Sequence, residues 1–171
     1  MDVFKAIKNR RSIRKFDPNK KVTNQQIEKL LEAARWAPSA GNLQSRFFIV
    51  VHDQTLKAKL MQASGGQKMV DQAPVVIVSC TDLKRVTYYG SRGRSLYTIQ
   101  DATIATQNIW LAATAMGLGA VWVGAFNEKK VAKLLDLPST IRPIAILPIG
   151  YPTESPRPPA RRPINKISKN L

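Results

Sequence analysis

One cysteine and one histidine in 171 residues close off several chemistries at once. A lone Cys80 leaves no disulfide within the chain, and one histidine with one cysteine cannot assemble a zinc site. His52, beside the end of an apolar run, reads as a surface residue rather than a general base. Acidic residues are scarce as well, with 11 Asp and Glu against 27 Lys and Arg, a formal net charge of +16. Such an excess attracts polyanions, so a nucleic-acid-binding module stands as one alternative beside an anionic cofactor or substrate. Against it, aromatics are only 7% and do not interleave with the basic clusters as a base-stacking platform requires. No apolar run is long enough to cross a bilayer, and the Met-Asp-Val start has no signal-peptide stretch. The expected location is therefore cytoplasmic, with no membrane partner. A Walker phosphate loop and a nucleophile elbow are also missing. Gly117 and Gly119 fall between a helix and a following strand, the reverse of the Rossmann order. No catalytic side chain and no metal ligand set stands out, so any reactive group is expected to come from a cofactor.

What the chain does carry is arginine in two places. Arg10, Arg11, Ser12 and Arg14 put three guanidiniums and a hydroxyl into five residues, closing on Phe16. Arg157, Arg161 and Arg162 form a second patch near the other end. A guanidinium keeps its charge at ordinary pH and offers a planar fork of donors that matches phosphate oxygens. Two such groups, distant in sequence, are what a fold needs to close around one phosphorylated ligand. Spacing alone leaves open the plainer alternative of solvated basic segments.

Length and a hydrophobic fraction of 44% suit one domain over residues 1–171, with 151–171 as an extended proline-rich tail. Asp2 should cap a helix to Asn9 with Val3, Phe4 and Ile7 on one stripe. Thr23 and Gln26 make a capping box for the next helix, whose stripe of Ile27, Leu30, Leu31 and Ala34 runs until Pro38 ends it. Strands are expected at 47–51, 75–80, 120–126 and 142–149, and helices at 54–63, through 69–70, and from Asn127 to Leu135. Lys57 is assigned to an exposed helix face. Residues 82–93 read as a mobile loop. From Arg94 to Met116 the chain is apolar on most faces, the pattern of a buried central helix. The sum is an α+β protein whose elements do not alternate as βαβ units.

Five motifs in order resemble the FMN-dependent nitroreductase family, in particular its short single-domain members. They are Arg10-Arg11-Ser12-Ile13-Arg14-Lys15-Phe16, Ala37-Pro38-Ser39-Ala40-Gly41-Asn42-Leu43-Gln44, Gln72-Ala73-Pro74, the run from Gly117 to Phe126, and Arg161-Arg162-Pro163. The resemblance covers essentially the whole chain. It implies a mainly antiparallel central sheet flanked by helices, with a C-terminal extension reaching a partner subunit. It also implies a homodimer with FMN sites at the subunit interface. The implied activity is NADH or NADPH oxidation with ping-pong hydride transfer through flavin N5 to nitroaromatic, quinone or flavin-type acceptors. The same fold leaves open dehalogenation, flavin destruction or FMN binding without turnover.

By that resemblance, Arg10, Ser12 and Arg14 cradle the FMN phosphate and ribityl chain, and Arg161 closes on the same phosphate. Arg11 lies where the family reaches toward the ring. Pro38, Ser39, Ala40, Asn42 and Gln44 form the loop under the isoalloxazine. Val123 and Gly124 supply backbone N–H groups near N5 and O4, where glycine permits close approach. Gln67 and Lys68 fall on the ribityl or pyrimidine side, and Tyr88, Tyr89, Arg92 and Arg94 are placed to select the acceptor. Departures from the pattern are the Ser45-Arg46 pair, where the family often has Pro-Trp, and a tail ending in lysines rather than an acidic helix start.

Overall fold

Side-chain caps set the helix starts along the chain, and the computed structural model describes all 171 residues. Helix α1 (Val3–Asn9) begins at Asp2, whose carboxylate accepts the Phe4 N–H at 2.9 Å. Helix α2 (Asn24–Arg35) has both halves of the capping box between Thr23 and Gln26, and buries Ile27, Leu30 and Ala34. Asp53 caps α3 (Gln54–Ala63), and Asn127 caps α7 (Glu128–Leu134) by accepting the Lys130 N–H. Between these lie the short α4 (Met69–Gln72), a single turn α5 (Gly90–Arg92) and the long α6 (Thr98–Ala115).

Four strands form one antiparallel sheet in the order β1-β2-β4-β3: Arg46–Val51, Val75–Asp82, Ile141–Gly150 and Gly119–Ala120 respectively. Strands β2 and β4 take the centre, and β2 is buried over seven successive residues because helices cover both faces. On one face Val75, Ile77, Ala145, Leu147 and Ile149 pack against α2 and α6. On the other, Val76, Val78, Cys80 and Ile146 pack against Leu60, Ala63, Val70 and Val131. Each fully buried Leu or Ile contributes roughly 1.5–3 kcal/mol to such a core. Pro143 sits in β4 where the register with β2 shifts at Ser79/Cys80, a place where a residue without an N–H does least harm to the ladder.

Several expectations need correction. The strand placed at 120–126 is only Gly119–Ala120 plus a single bridge from Val123 to Ile146, because this run is a sheet edge that soon turns away. Residues 82–93 hold helical turns at Thr87–Tyr89 and Gly90–Arg92. The following helix opens with a wide turn over Gly93–Tyr97 before α6 proper. Lys57 is buried, with its ammonium donating to the Ala73 carbonyl at 2.6 Å, so it does not lie on an exposed face. The α1 stripe faces outward: Val3, Phe4 and Ile7 are all exposed, and so is Ile104 of α6.

The N-terminal segment and the tail complete the sheet's edge. Ile13 donates to the Ala120 carbonyl, and Phe16 pairs with Pro152 through Asp17-to-Tyr151 and Thr153-to-Lys15 backbone bonds. A Cβ on Gly119 would fall 2.7 Å from that of Ile13, so glycine lets the two segments touch there. The Glu154 carboxylate accepts the Arg14 and Lys15 N–H groups, and beyond it only Pro156 is even half-buried.

Candidate functional site

Arg10 lies beside α6, and the exposed Arg161 from the other end of the chain, whose Nη1 donates to the Pro159 and Ala160 carbonyls, comes near enough for its charge to act on it. The Arg10 guanidinium lies over the Trp110 ring, 4.4 Å from its centroid. Its pKa is lowered, first by burial and then by the like charges of Arg161 and Arg11. No carboxylate pairs with any of these arginines, since the four ion pairs of the chain lie elsewhere. A partly desolvated cation next to two others is costly to hold, and an anion placed among them relieves that cost. Arg14 is exposed and reaches the Ser12 carbonyl at 3.4 Å, while Ser12 itself is half-buried on the bridge to Ala120. Arg11 is turned back instead, with Nη1 donating to the Lys8 and Arg10 carbonyls at 2.7 and 2.8 Å, where it caps the end of α1. Arg157 and Arg162 are exposed.

The same edge carries the 123–125 turn. Here the Val123 N–H is spent on the Ile146 carbonyl at 2.9 Å, so it is not free to meet a ligand. The Gly124 N–H has no partner in the chain and lies on an exposed turn. Gln67 borders it, donating to the Ala125 carbonyl at 3.1 Å and to Ser64 at 2.9 Å. The neighbouring Lys68 is exposed.

The loop of Pro38, Ser39, Ala40, Asn42 and Gln44 is not part of this corner. It folds as a tight turn with φ of +53° at Gly41, +54° at Asn42 and +52° at Gln44. Ser39 Oγ accepts the Gln44 N–H at 2.9 Å, and the Gln44 amide reaches back to Asn42. Gly41 has no room for a side chain, because a Cβ would fall 2.6 Å from the Tyr89 hydroxyl. The loop is clamped by residues that the sequence motifs did not single out. Buried Asp101 accepts the Ala40 N–H at 2.9 Å and the Ser45 hydroxyl at 2.6 Å. Arg46 donates to the carbonyls of Arg35, Ala37 and Pro38. Burial lowers the Arg46 pKa and the charge of Asp101 opposes that shift. Ser45 and Arg46 therefore do the local packing at the position where the chain departs from the family pattern. The signal available in the sequence was that very departure.

Ala40 sits on Asp101 and Arg10 sits on Trp110, both residues of α6. Nine helical residues separate those two anchors by about 13 Å along the axis and place them on opposing sides. Arg10, Ser12 and Arg14 thus share one segment that bridges to Ala120, four residues before Gly124, with Arg161 near Arg10, while the Pro38–Gln44 loop is held on the other side of α6. Tyr88, Tyr89 and Tyr97 stack edge to face in the segment before α6, with Arg92 over Tyr97; Arg94 is exposed nearby.

Comparison with known proteins finds relatives in both sequence and fold. The chain is 38% identical over 160 residues to a protein of Methanothermobacter thermautotrophicus named as a candidate NADH dehydrogenase/NAD(P)H nitroreductase, covering 91% of this chain and 80% of that one. It is 32% identical over 167 residues to the NAD(P)H FMN reductase of Bacillus subtilis, covering 90% of this chain and 67% of that protein. Its structure matches the NADPH:FMN oxidoreductase of Vibrio harveyi, solved with NAD+, at a TM-score of 0.91 and 28% identity, over 98% of this chain and 76% of that one. The family model described as the Nitroreductase family matches residues 7–67 and 62–151, and the chain belongs to that family.

Proposed function

We propose that this protein is an FMN-dependent oxidoreductase that takes electrons from NADH or NADPH and delivers them to a small nitroaromatic, quinone or flavin-type acceptor. FMN, when bound, supplies the hydride carrier that no side chain here can replace. The observation that carries this reading is the uncompensated pair of Arg10 and Arg161, whose donors and charge suit a phosphate monoester. Relatives named as FMN reductase and NADPH:FMN oxidoreductase support the same cofactor and donor.

The roles of the chain's own residues are binding and positioning. Arg10 and Arg161 would hold the phosphate from two sides, with the Ser12 hydroxyl and Arg14 beside them. The free Gly124 N–H offers one fixed donor to a polar edge of the ring, and Gln67 stiffens that turn through Ala125. The loop of Pro38, Ser39, Ala40, Asn42 and Gln44 would serve the site of a second copy, so that each complete site takes its phosphate corner from one subunit and its loop from the other. The outward α1 stripe of Val3, Phe4 and Ile7 supports such a partner, because exposed apolar patches of this kind mark contact surfaces.

The test is anaerobic addition of NADH or NADPH to protein loaded with FMN. The yellow absorbance should bleach and return when menadione or a nitrofuran is added. Failure to retain FMN through gel filtration, or no bleaching with either nucleotide, would overturn the reading. Arg14→Glu should lower FMN occupancy at least several-fold relative to Lys59→Glu, a charge reversal on the exposed side of α3. Equal losses in the two variants would show that the N-terminal arginines are only surface charge.

A further inference from the structure

We propose that Trp110 is a positioning residue for the phosphate-binding cation, its indole face holding the Arg10 guanidinium in the orientation that meets the phosphate. This rests on the FMN reading above and adds a residue to it. The ring is rigid, because Trp110 is 8% exposed and belongs to the core cluster that also contains Ala113 and Leu118. Arg10 stands 4.4 Å above its centroid, within the distance at which a cation is drawn to an aromatic face.

Two further facts set this contact apart from ordinary packing. The Trp110 Nε1–H is buried without any acceptor, so the ring's polar edge contributes no hydrogen bond and carries the cost of an unmet donor. An aliphatic side chain would fill the space without that cost, and what it would lack is the face. In addition, Arg10 has no carboxylate to fix it, and Arg161 and Arg11 repel it. Without the ring, nothing opposes rotation of the guanidinium toward solvent. A planar guanidinium over indole still presents its N–H edge to an oxygen as a fixed bidentate fork, whereas a lysine ammonium there is a point charge with no such preset orientation.

The experiment compares FMN with riboflavin, which lacks the phosphate, by flavin fluorescence titration of the folded, full-length protein. Trp110→Leu should weaken FMN about tenfold, the scale of one desolvated cation–π contact, and leave riboflavin unchanged. Trp110→Phe keeps a face and should stay within about threefold of wild type. In an Arg10→Ala background, Trp110→Leu should add nothing. Arg10→Lys, which keeps the charge and loses the planar stack, should give the same selective loss and needs no change in the core. Equal weakening of both flavins by Trp110→Leu, additive effects in the double variant, or full FMN affinity in Arg10→Lys would each overturn the proposal while leaving the cofactor reading intact. Wild-type protein that binds no FMN would sink the cofactor reading first, and this proposal with it.

Discussion

The Cys80 thiol lies in the middle of β2 with no exposed surface, and burial pushes its pKa up to about 12. It should not react with iodoacetamide at pH 8 until the protein unfolds, as mass spectrometry before and after denaturant would report. Rapid labelling of native protein would contradict its placement. Lys57 is the second buried reactive group. Replacing it with Met removes a charged hydrogen bond to Ala73 and should cost about 2 kcal/mol in urea unfolding. Burial lowers its pKa below the ordinary 10.5, with Asp71 and Asp53 opposing the shift. In the alkaline window below 10.5 the unfolded chain therefore binds more protons, and wild type should gain stability relative to Lys57→Met as pH rises through it. A flat difference would show an amine that is solvated. The sequence could not mark Lys57 as buried, because a lysine on an amphipathic helix reads as solvent-facing until the Ala73 carbonyl at the end of α4 accepts its hydrogen bond. Cys80 was legible, since it follows the β-branched run Val75 to Val78 within the same strand.

At the level of elements, the caps written into the chain were read well, because Asp2, Thr23 with Gln26, and Asn127 act on N–H groups two or three residues away. The Asp101 clamp was not legible in that way. It joins α6 to a loop some 60 residues earlier, and no local pattern encodes such a contact. Asp101→Ala would strip the Ala40 N–H and the Ser45 hydroxyl of their acceptor and leave Arg46 without its nearby charge. A loss of about 2–4 kcal/mol is expected, with faster amide exchange at Ala40. Unchanged exchange there would mean that Arg46 alone holds the loop. The strand at 120–126 failed as an expectation for a related reason. Its apolar run reports burial, and here Val121 and Val123 are buried with Leu60 and Ala63 of α3 and Val131 of α7, while beyond Ala120 only Val123 bonds to β4.

For the molecule as a whole, the fold class could be read from motifs, while the separation of Asn42 from Arg10 within one chain could not. Nothing in a linear order of residues says that α6 will stand between Asn42 and Arg10. The proposed sharing of each site between two copies, together with the outward stripe on α1, predicts a dimer on gel filtration. Removal of residues 155–171 should leave the sheet edge intact, because Tyr151 to Glu154 are the residues that pair with 14–17. That truncation should keep the melting temperature within a few degrees and weaken FMN at least tenfold through loss of Arg161. A truncated protein with wild-type FMN affinity would remove Arg161 from the site.

The clasp at Glu154 has a consequence for how that distant arginine finds its place. Seven residues separate the fastened carboxylate from Arg161, a leash of at most about 25 Å. A cation so tethered is present near Arg10 at an effective concentration in the millimolar range, whatever the dilution of the protein. Capture of the anion can then proceed in two steps, docking on the N-terminal arginines and then enclosure by an arm already within reach. Glu154→Ala leaves the Thr153 N–H on the Lys15 carbonyl as the last fastening and lengthens the leash by one residue, so the rate of FMN escape on dilution should change less than about twofold.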